Sequence, residues 1–301
     1  MIKSFLFTLS LSWFFVTHLT AQTTSFDLWQ VKTEGKSNNL KIAPKTAKPI
    51  TDRPEYDNQP SFINEYQMVF SAADENGNHD IIVYNFETGK FTNLSKTASV
   101  SEFSPQITDC GQYIGAVVME EDKSQRIWLY PTNFEKPELL YDDIEPVGYY
   151  DWYKNKAAMF VLGEPNKLVY AEGRNDLIQI DENIARSVKT RPKTSQITYL
   201  SLKDPVETNN GKALTLKYFD IESKVFGELG NGLEGSQDFI WIDKNTLLMA
   251  RGNTIYKRKV SEGIWKEIGT IESDTHQNIS RLAYSPELQI LVFAIERKNQ
   301  Q

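Results

Sequence analysis

An all-β fold is predicted by three features of the sequence. Short runs of β-branched and aromatic residues recur along most of the chain, and Asn-Gly, Asp-x-Gly or Pro signals separate them. The runs repeat about every 45 residues, a spacing that suits four-stranded units. No amphipathic helix of three turns is evident between them. These features predict a six-bladed β-propeller of four-stranded blades, whose last blade is closed by strands from the N- and C-terminal parts of the chain.

The first 21 residues are expected to be a signal peptide. Lys3 supplies a positive charge, residues 4–16 form an apolar run, and Ala21 ends a short polar stretch. The run is shorter than the roughly 20 residues that a membrane-spanning helix needs, and no cysteine follows it to carry a lipid anchor. We therefore expect a periplasmic or secreted protein without a transmembrane anchor, in which residues 22–301 form the propeller.

Composition narrows the class of partner. The chain has 301 residues, with 33 Lys and Arg against 40 Asp and Glu, and a net charge of −7. Because nucleic-acid binding needs a clustered basic face, and none is evident, no nucleic-acid partner is expected. The lone Cys110 lies in an Asp-x-Gly turn and cannot form an internal disulfide. The expected partner is a periplasmic or envelope protein or peptide, and the protein is expected to be a monomer.

The first full unit shows the pattern of one blade. Asn76-Gly77 favours a tight reversal between its second and third strands, and residues 87–90 (ETGK) favour a turn into the fourth. The four strands of this unit are predicted at residues 59–63, 67–71, 80–84 and 91–94.

The same order of strands repeats five more times. Second strands are predicted at residues 114–118, 158–162, 197–201, 247–251 and 290–294. Third strands are predicted at residues 126–130, 167–171, 214–219 and 253–257. After the last second strand the sequence ends in polar residues, so that unit lacks two strands. Residues 26–31 and 40–50 can supply them, which would also remove an exposed sheet edge. Five closed blades with loose termini are the alternative.

Two units resemble a known family in detail. Residues 70–84 (FSAADENGNHDIIVY), with ETGK at 87–90 and TNL at 92–94, resemble the repeat of TolB-like six-bladed propellers. Residues 104–114 (SPQITDCGQYI) are similar to the first turn of that repeat, with Cys110 in place of a more usual residue. Residues 147–152 (VGYYDW), 160–165 (FVLGEP) and 279–283 (ISRLA) resemble an uncharacterised bacterial subgroup of these proteins. The resemblance implies a fold and export rather than a particular chemistry.

Candidate site residues lie where the innermost strands begin, because a propeller gathers these positions around one mouth of its central channel. Arginines on two blades, which we expect to be opposed, and several carboxylates could neutralise one another or form a clamp for an anion. Tyrosines and tryptophans at this level, including Trp152 and Trp241, could instead stack on a peptide or sugar. The candidate residues for ligand or partner binding are Asp57, Gln59, Glu102, Tyr149, Tyr150, Arg186, Asp238, His276 and Arg281.

The sequence favours a binding or scaffolding module over an enzyme. No Gly-x-Ser-x-Gly motif is present. Residues 74–85 have His79 at the sixth position and Asn85 at the twelfth, where an EF-hand loop needs glycine and glutamate. His79, in the Asn-Gly hairpin, is expected to be a solvated turn residue. The alternative function is a calcium-dependent hydrolase or lactonase of the six-bladed type. In that case Asp57, Glu102, Asp151 and Asp238 would hold the metal; otherwise no cofactor is expected.

Overall fold

The structure is a computed structural model that describes residues 24–173 and 176–298. These residues form β-strands and two short 3₁₀ turns, Ser37–Asn39 and Pro44–Thr46. No α-helix occurs in the described ranges, and none of their helical segments is long and apolar enough to cross a membrane. The expected signal peptide, residues 1–21, lies outside these ranges. The predicted all-β class is confirmed.

Six sheets account for the strands. The first three strands are β1 (Phe26–Glu34), β2 (Lys41–Ile42) and β3 (Lys48–Pro49). They belong to the same sheet as the last two strands of the chain. Blade 1 contains β4 (Asp57–Phe62), β5 (Gln67–Ala73), β6 (His79–Asn85) and β7 (Lys90–Asn93). Blade 2 contains β8 (Ser101–Ile107), β9 (Tyr113–Met119), β10 (Gln125–Pro131) and β11 (Glu138–Leu139). Blade 3 contains β12 (Val147–Tyr153), β13 (Lys156–Val161), β14 (Lys167–Gly173) and β15 (Asp176–Glu182).

The second half of the chain follows the same order. Blade 4 contains β16 (Ile184–Thr190), β17 (Gln196–Thr208), β18 (Gly211–Asp220) and β19 (Phe226–Asn231). Blade 5 contains β20 (Phe239–Trp241), β21 (Thr246–Arg251), β22 (Thr254–Lys259) and β23 (Trp265–Thr270). The last two strands are β24 (His276–Ser285) and β25 (Ile290–Arg297). All pairings are antiparallel, and the innermost strands contact one another in the order β4, β8, β12, β16, β20, β24 and back to β4.

Blade 6 is completed by both ends of the described chain, as predicted. β25 pairs on one side with β24 and on the other with β1, in a register that runs from Phe26 opposite Glu296 to Lys32 opposite Ile290. The predicted strand at residues 40–50 is instead two strands of two residues, β2 and β3, which both pair with β1. The 3₁₀ turn Pro44–Thr46 lies between these two strands and interrupts a continuous ladder.

The second strand of each blade is apolar on both faces. In β5 six consecutive residues from Met68 to Ala73 are buried, and in β25 the same holds from Ile290 to Ile295. Blades stack face to face around the ring, so both faces of these strands lie against neighbouring sheets, and alternation of polar and apolar residues disappears. The hydrophobic clusters accordingly lie between blades, as where Met68 and Phe70 of blade 1 pack with Val292 of blade 6.

Candidate functional site

A cavity of about 310 Å³ lies in the central channel, along the innermost strands. The innermost strands of all six blades contribute to its lining, as expected for the central channel of a propeller. Six of the nine candidate residues predicted from the sequence border it. They are Gln59, Tyr149, Tyr150, Arg186, Asp238 and Arg281.

Local irregularities shape several of these strands. Gln59 in β4, Ser104 in β8 and Arg281 in β24 have positive φ angles of 61°, 51° and 35°. Each lies at a register shift against the neighbouring second strand, as expected where an extra residue bends a strand. Gln59 uses this position to link two blades, because its Oε1 accepts a hydrogen bond of 2.7 Å from the backbone N–H of Ser104. Its side chain is thus engaged within the protein.

Two arginines share one aspartate in the channel. Arg186 donates from Nη2 to Asp238 Oδ2 at 2.5 Å and from Nε to Oδ1 at 3.1 Å, a bidentate ion pair. Arg281 donates from Nη1 to the same Oδ1. The three residues lie on blades 4, 5 and 6, so Arg186 and Arg281 flank blade 5 and are not on opposed blades as expected. The cluster carries two positive charges and one negative charge.

The electrostatics of this cluster reflect its burial. Burial is the main cause that lowers the pKa of Arg281 to about 10, and the neighbouring Arg186 acts in the same direction. The Arg281 guanidinium lies 4.7 Å from the ring centre of Tyr149, a cation–π contact that partly compensates for lost water. Burial also raises the pKa of Tyr56 to about 12, against the opposing effect of Arg281 and Arg186. The arginine side chain of Arg186 is 42% exposed and remains the accessible member.

Three candidate residues are not among those that line the channel cavity. Asp57 is fully buried and binds Arg53 through Nε at 2.8 Å and Nη2 at 2.5 Å; burial raises the pKa of Asp57 and Arg53 opposes this. Glu102 is buried and accepts hydrogen bonds from the hydroxyls of Thr97 and Tyr130. These two carboxylates are held by partners within the protein and do not border the channel cavity; a binding role for them stays a prediction.

His276 is also placed differently from the expectation. It is 4% exposed, and its Nε2 lies 2.8 Å from Asp27 Oδ2. Asp27 Oδ2 also accepts a hydrogen bond of 2.5 Å from Arg297, and its Oδ1 accepts one of 3.0 Å from the backbone N–H of Arg53. This carboxylate therefore connects β24, β25 and β1 within blade 6. His276 is part of the ring closure and not of the channel mouth.

The aromatic candidates are mostly engaged within the protein. Tyr150 and Trp152 are buried between blades 2 and 3, with ring centres 5.2 Å apart. Trp241 lies against the guanidinium of Arg191 at 5.2 Å and donates to Thr198 Oγ1 at 2.9 Å. Tyr149, beside Arg281, is the predicted aromatic residue best placed to contribute to the channel site.

Tyr56 is not among the residues predicted from the sequence, and the predicted solvent exposure of His79 is wrong. His79 is half-buried, with its ring centre 5.1 Å from Tyr56 and 4.5 Å from Phe103, so it is not the solvated turn residue that was expected. Burial lowers the pKa of His79. Tyr56 immediately precedes β4. Its position beside the start of an innermost strand is the feature of the sequence that could have identified it.

The carboxylates proposed for a calcium site do not come together. Asp57 binds Arg53, Glu102 binds hydroxyls, and Asp238 binds two arginines. Asp151 accepts from the backbone N–H of Thr190 at 2.5 Å and lies 3.6 Å from Lys189 Nζ. Within residues 24–173 and 176–298, no three His, Cys, Asp or Glu side chains form a group that could hold a metal ion. The four carboxylates named for the alternative function therefore do not form one group in the described ranges.

Comparisons with known proteins agree with the fold. No family model matches the chain, and no curated protein matches it. It is similar to a structure from Agrobacterium tumefaciens provisionally described as TolB, with a TM-score of 0.65 and 8% identity over 92% of this chain and 100% of that one. It is similar to TolB from Acinetobacter baumannii, with a TM-score of 0.50 and 14% identity over 65% of this chain and 50% of that one.

An oligogalacturonate lyase in complex with manganese is a further similar structure, with a TM-score of 0.56 and 8% identity over 87% of this chain and 83% of that one. At identities this low, the similarity supports a shared fold and does not show a shared chemistry. The ring of six blades, the closure by both chain ends and the TolB structures agree, and the chain therefore has a TolB-like six-bladed β-propeller fold.

Proposed function

We propose that the protein is an exported, non-enzymatic binding or scaffolding module that engages a protein, peptide or small anionic ligand at the mouth of its channel. The observation that carries this proposal is the sharing of Asp238 by Arg186 and Arg281. One carboxylate cannot neutralise two guanidinium groups, so the cluster keeps a net positive charge inside a protein whose total charge is −7. Export rests on the signal-like residues 1–21.

An anionic group is the ligand chemistry that this cluster favours. Guanidinium offers a planar fork of donors that matches a carboxylate or phosphate. Arg186 is partly exposed, whereas Arg281 is held against Tyr149. An incoming carboxylate can therefore approach Arg186 from the channel while Arg281 keeps Asp238 in place. The partner would be a periplasmic or envelope protein or peptide that presents such a group.

The calcium-dependent hydrolase is supported less well. Its four carboxylates have separate partners, and His276 is buried against Asp27. General acid–base catalysis needs a titratable group within hydrogen-bond reach of the substrate. Calcium binding therefore remains a weaker proposal, and thermal melting with EDTA and with added calcium would test it. A shift of several degrees would favour the metal.

The test compares Arg186→Ala and Arg281→Ala with Arg126→Ala, which removes an arginine from an ion pair outside the channel. The probe is an acetylated pentapeptide with a free C-terminal carboxylate, compared with the same peptide amidated. If the arginines form an anion site, both channel variants should lose binding of the free-carboxylate peptide and keep a melting temperature near that of the wild type. Arg186 is partly exposed, so its ion pair contributes only about 0–1 kcal/mol to stability, and in either single variant Asp238 keeps the other arginine.

The opposite pattern would contradict the proposal. If the arginines only neutralise Asp238, the double variant Arg186→Ala with Arg281→Ala should cost about 3 kcal/mol or more, because removal of both leaves a largely buried carboxylate without a partner. Binding of the peptide would then be unchanged in whatever protein remains folded. Asp238→Asn supplies a second test, since removal of the competing carboxylate should tighten binding of the free-carboxylate peptide.

A further inference from the structure

A second cavity, of about 460 Å³, lies between blades 1 and 2 and is separate from the channel. Val100, Val118 and Trp128 form apolar parts of its lining. Thr97 and Tyr130 also border it, and the hydroxyls of both donate to Glu102 Oε1, at 2.8 and 2.9 Å. The cavity thus combines apolar walls with two hydroxyl groups backed by a buried carboxylate.

The buried negative charge beside this cavity lacks a basic partner. Glu102 is fully buried, and Ser95 Oγ lies 3.1 Å from its Oε2 and 3.0 Å from Asp80 Oδ1. Among the described residues, no Lys, Arg or His forms an ion pair with Glu102 or Asp80. Burial raises the pKa of Glu102 to about 7, which shows how poorly its charge is compensated. A cation that enters the cavity would supply the missing compensation.

The rim of the cavity is acidic. Glu120, Glu121 and Asp122 border it. Arg126 binds Glu120 in a bidentate ion pair of 2.8 and 2.6 Å, which neutralises that carboxylate. Glu121 and Asp122 are exposed and present negative charge to an approaching group. Like-signed charge around a concave site attracts an oppositely charged ligand and speeds its association.

We propose that this cavity binds a lysine side chain presented by a basic segment of a partner protein. The four-carbon stem of lysine would lie along Val100, Val118 and Trp128, as such stems do on apolar surfaces. Its ammonium group has three donors and no acceptor, and the hydroxyl oxygens of Thr97 and Tyr130 have free lone pairs because their hydrogens point to Glu102. The compact ammonium suits two hydroxyl oxygens that share one acceptor, Glu102 Oε1, better than the wider fork of arginine does. This proposal is independent of the channel site.

The test uses an acetylated, amidated peptide of sequence Gly-Lys-Gly-Lys-Gly and an analogue in which norleucine replaces lysine. Norleucine keeps the stem and removes the ammonium group. Binding is followed by the indole N–H resonance of Trp128, which donates to Glu120 at 3.0 Å. We expect the lysine peptide to shift this resonance and to bind at least about tenfold more tightly than the analogue, the factor that corresponds to about 1.4 kcal/mol.

Conservative variants separate the cavity from general attraction by charge. Thr97→Val and Tyr130→Phe remove one hydroxyl each without any change of charge and should each weaken binding several-fold. The double variant Glu121→Gln with Asp122→Asn lies on the exposed rim, should fold normally, and should also weaken binding. Glu65→Gln removes an exposed charge on blade 1, outside this cavity, and serves as the matched control.

Three results would overturn the proposal. One is equal binding of the lysine and norleucine peptides. Another is a loss with Glu65→Gln as large as that with the rim variant. The third is unchanged binding in folded Thr97→Val and Tyr130→Phe proteins, because attraction by surface charge alone would then account for the interaction.

Discussion

Among single residues, Glu102 carries a clear consequence for stability. Its folded pKa of about 7 lies above the ordinary value, because burial disfavours the carboxylate. The folded protein therefore binds this proton more tightly than the unfolded chain does. The contribution of Glu102 to the free energy of unfolding is fully present below its unfolded pKa and is lost as the pH rises toward 7. Over the whole titration the loss should amount to roughly 3–4 kcal/mol, at about 1.4 kcal/mol per pKa unit.

Urea unfolding at pH 5 and pH 8 would measure this effect. Glu102→Gln keeps the size of the side chain and cannot ionise, so its stability should change less over this range than that of the wild type. Other titrating groups are common to both proteins and cancel in the comparison. Parallel pH profiles for the two proteins would show that Glu102 is not the cause.

The same residue shows how far a site can be predicted from sequence. Strand starts are visible in the pattern, and Gln59, Tyr149, Arg186, Asp238 and Arg281, which lie at or near such starts, all border the channel cavity. Whether a carboxylate at such a start faces the channel depends on partners elsewhere in the chain. Glu102 turns toward Tyr130, 28 residues away, and His276 lies against Asp27, 249 residues away. The local pattern of polar and apolar residues gives no information about contacts between residues so far apart in the sequence.

Among the elements, the fit between β23 and β2 depends on a glycine. Gly269 has φ +151°, and a Cβ atom there would lie 2.5 Å from Cγ1 of Ile42. Gly269→Ala should destabilise the protein by about 1–3 kcal/mol, the usual cost of overpacking a closed contact. Thermal or urea unfolding would measure it.

A double-mutant cycle tests the cause. Ile42→Ala makes room beside Gly269, so the effect of Gly269→Ala should be smaller in the Ile42→Ala background. Equal effects in both backgrounds would point to the backbone conformation of Gly269 and away from the contact with Ile42.

Strand positions were predictable because each blade repeats one order of turns and apolar runs. The predicted second strands fall within β9, β17, β21 and β25, and the one predicted at residues 158–162 overlaps β13 and extends one residue past its end. The exception in length is β17, which was predicted to end near Ser201 and continues to Thr208, paired with β18. A bulge after Ser201 separates the blade from this extension. The extension contains Asp204 and Pro205, whose residue types have a low propensity for β-strands. The sequence therefore predicts a loop there.

For the whole molecule, closure of blade 6 should be essential for stability. Deleting residues 22–50 removes β1, β2 and β3, and with β1 the partner of β25 and the carboxylate of Asp27. The apolar strand β25 would then have an exposed edge, which invites aggregation. We expect the truncated protein to be aggregated or to lack a cooperative thermal transition by circular dichroism. A truncated protein that melts cooperatively near the full-length temperature would contradict this.

The pairing of β1 with β25 also determines the order in which the molecule can fold. Contacts such as that between Arg297 and Asp27 join residues 270 positions apart, whereas the strands of blades 1 to 5 are consecutive in the chain. Closing so long a loop carries a larger entropic cost than forming a hairpin, and distant pairings slow folding. During synthesis the first five blades can form from local contacts, but the ring must stay open until β25 has been made. The last step of folding therefore brings together β1 and β25, two segments whose synthesis is separated by that of all five other blades.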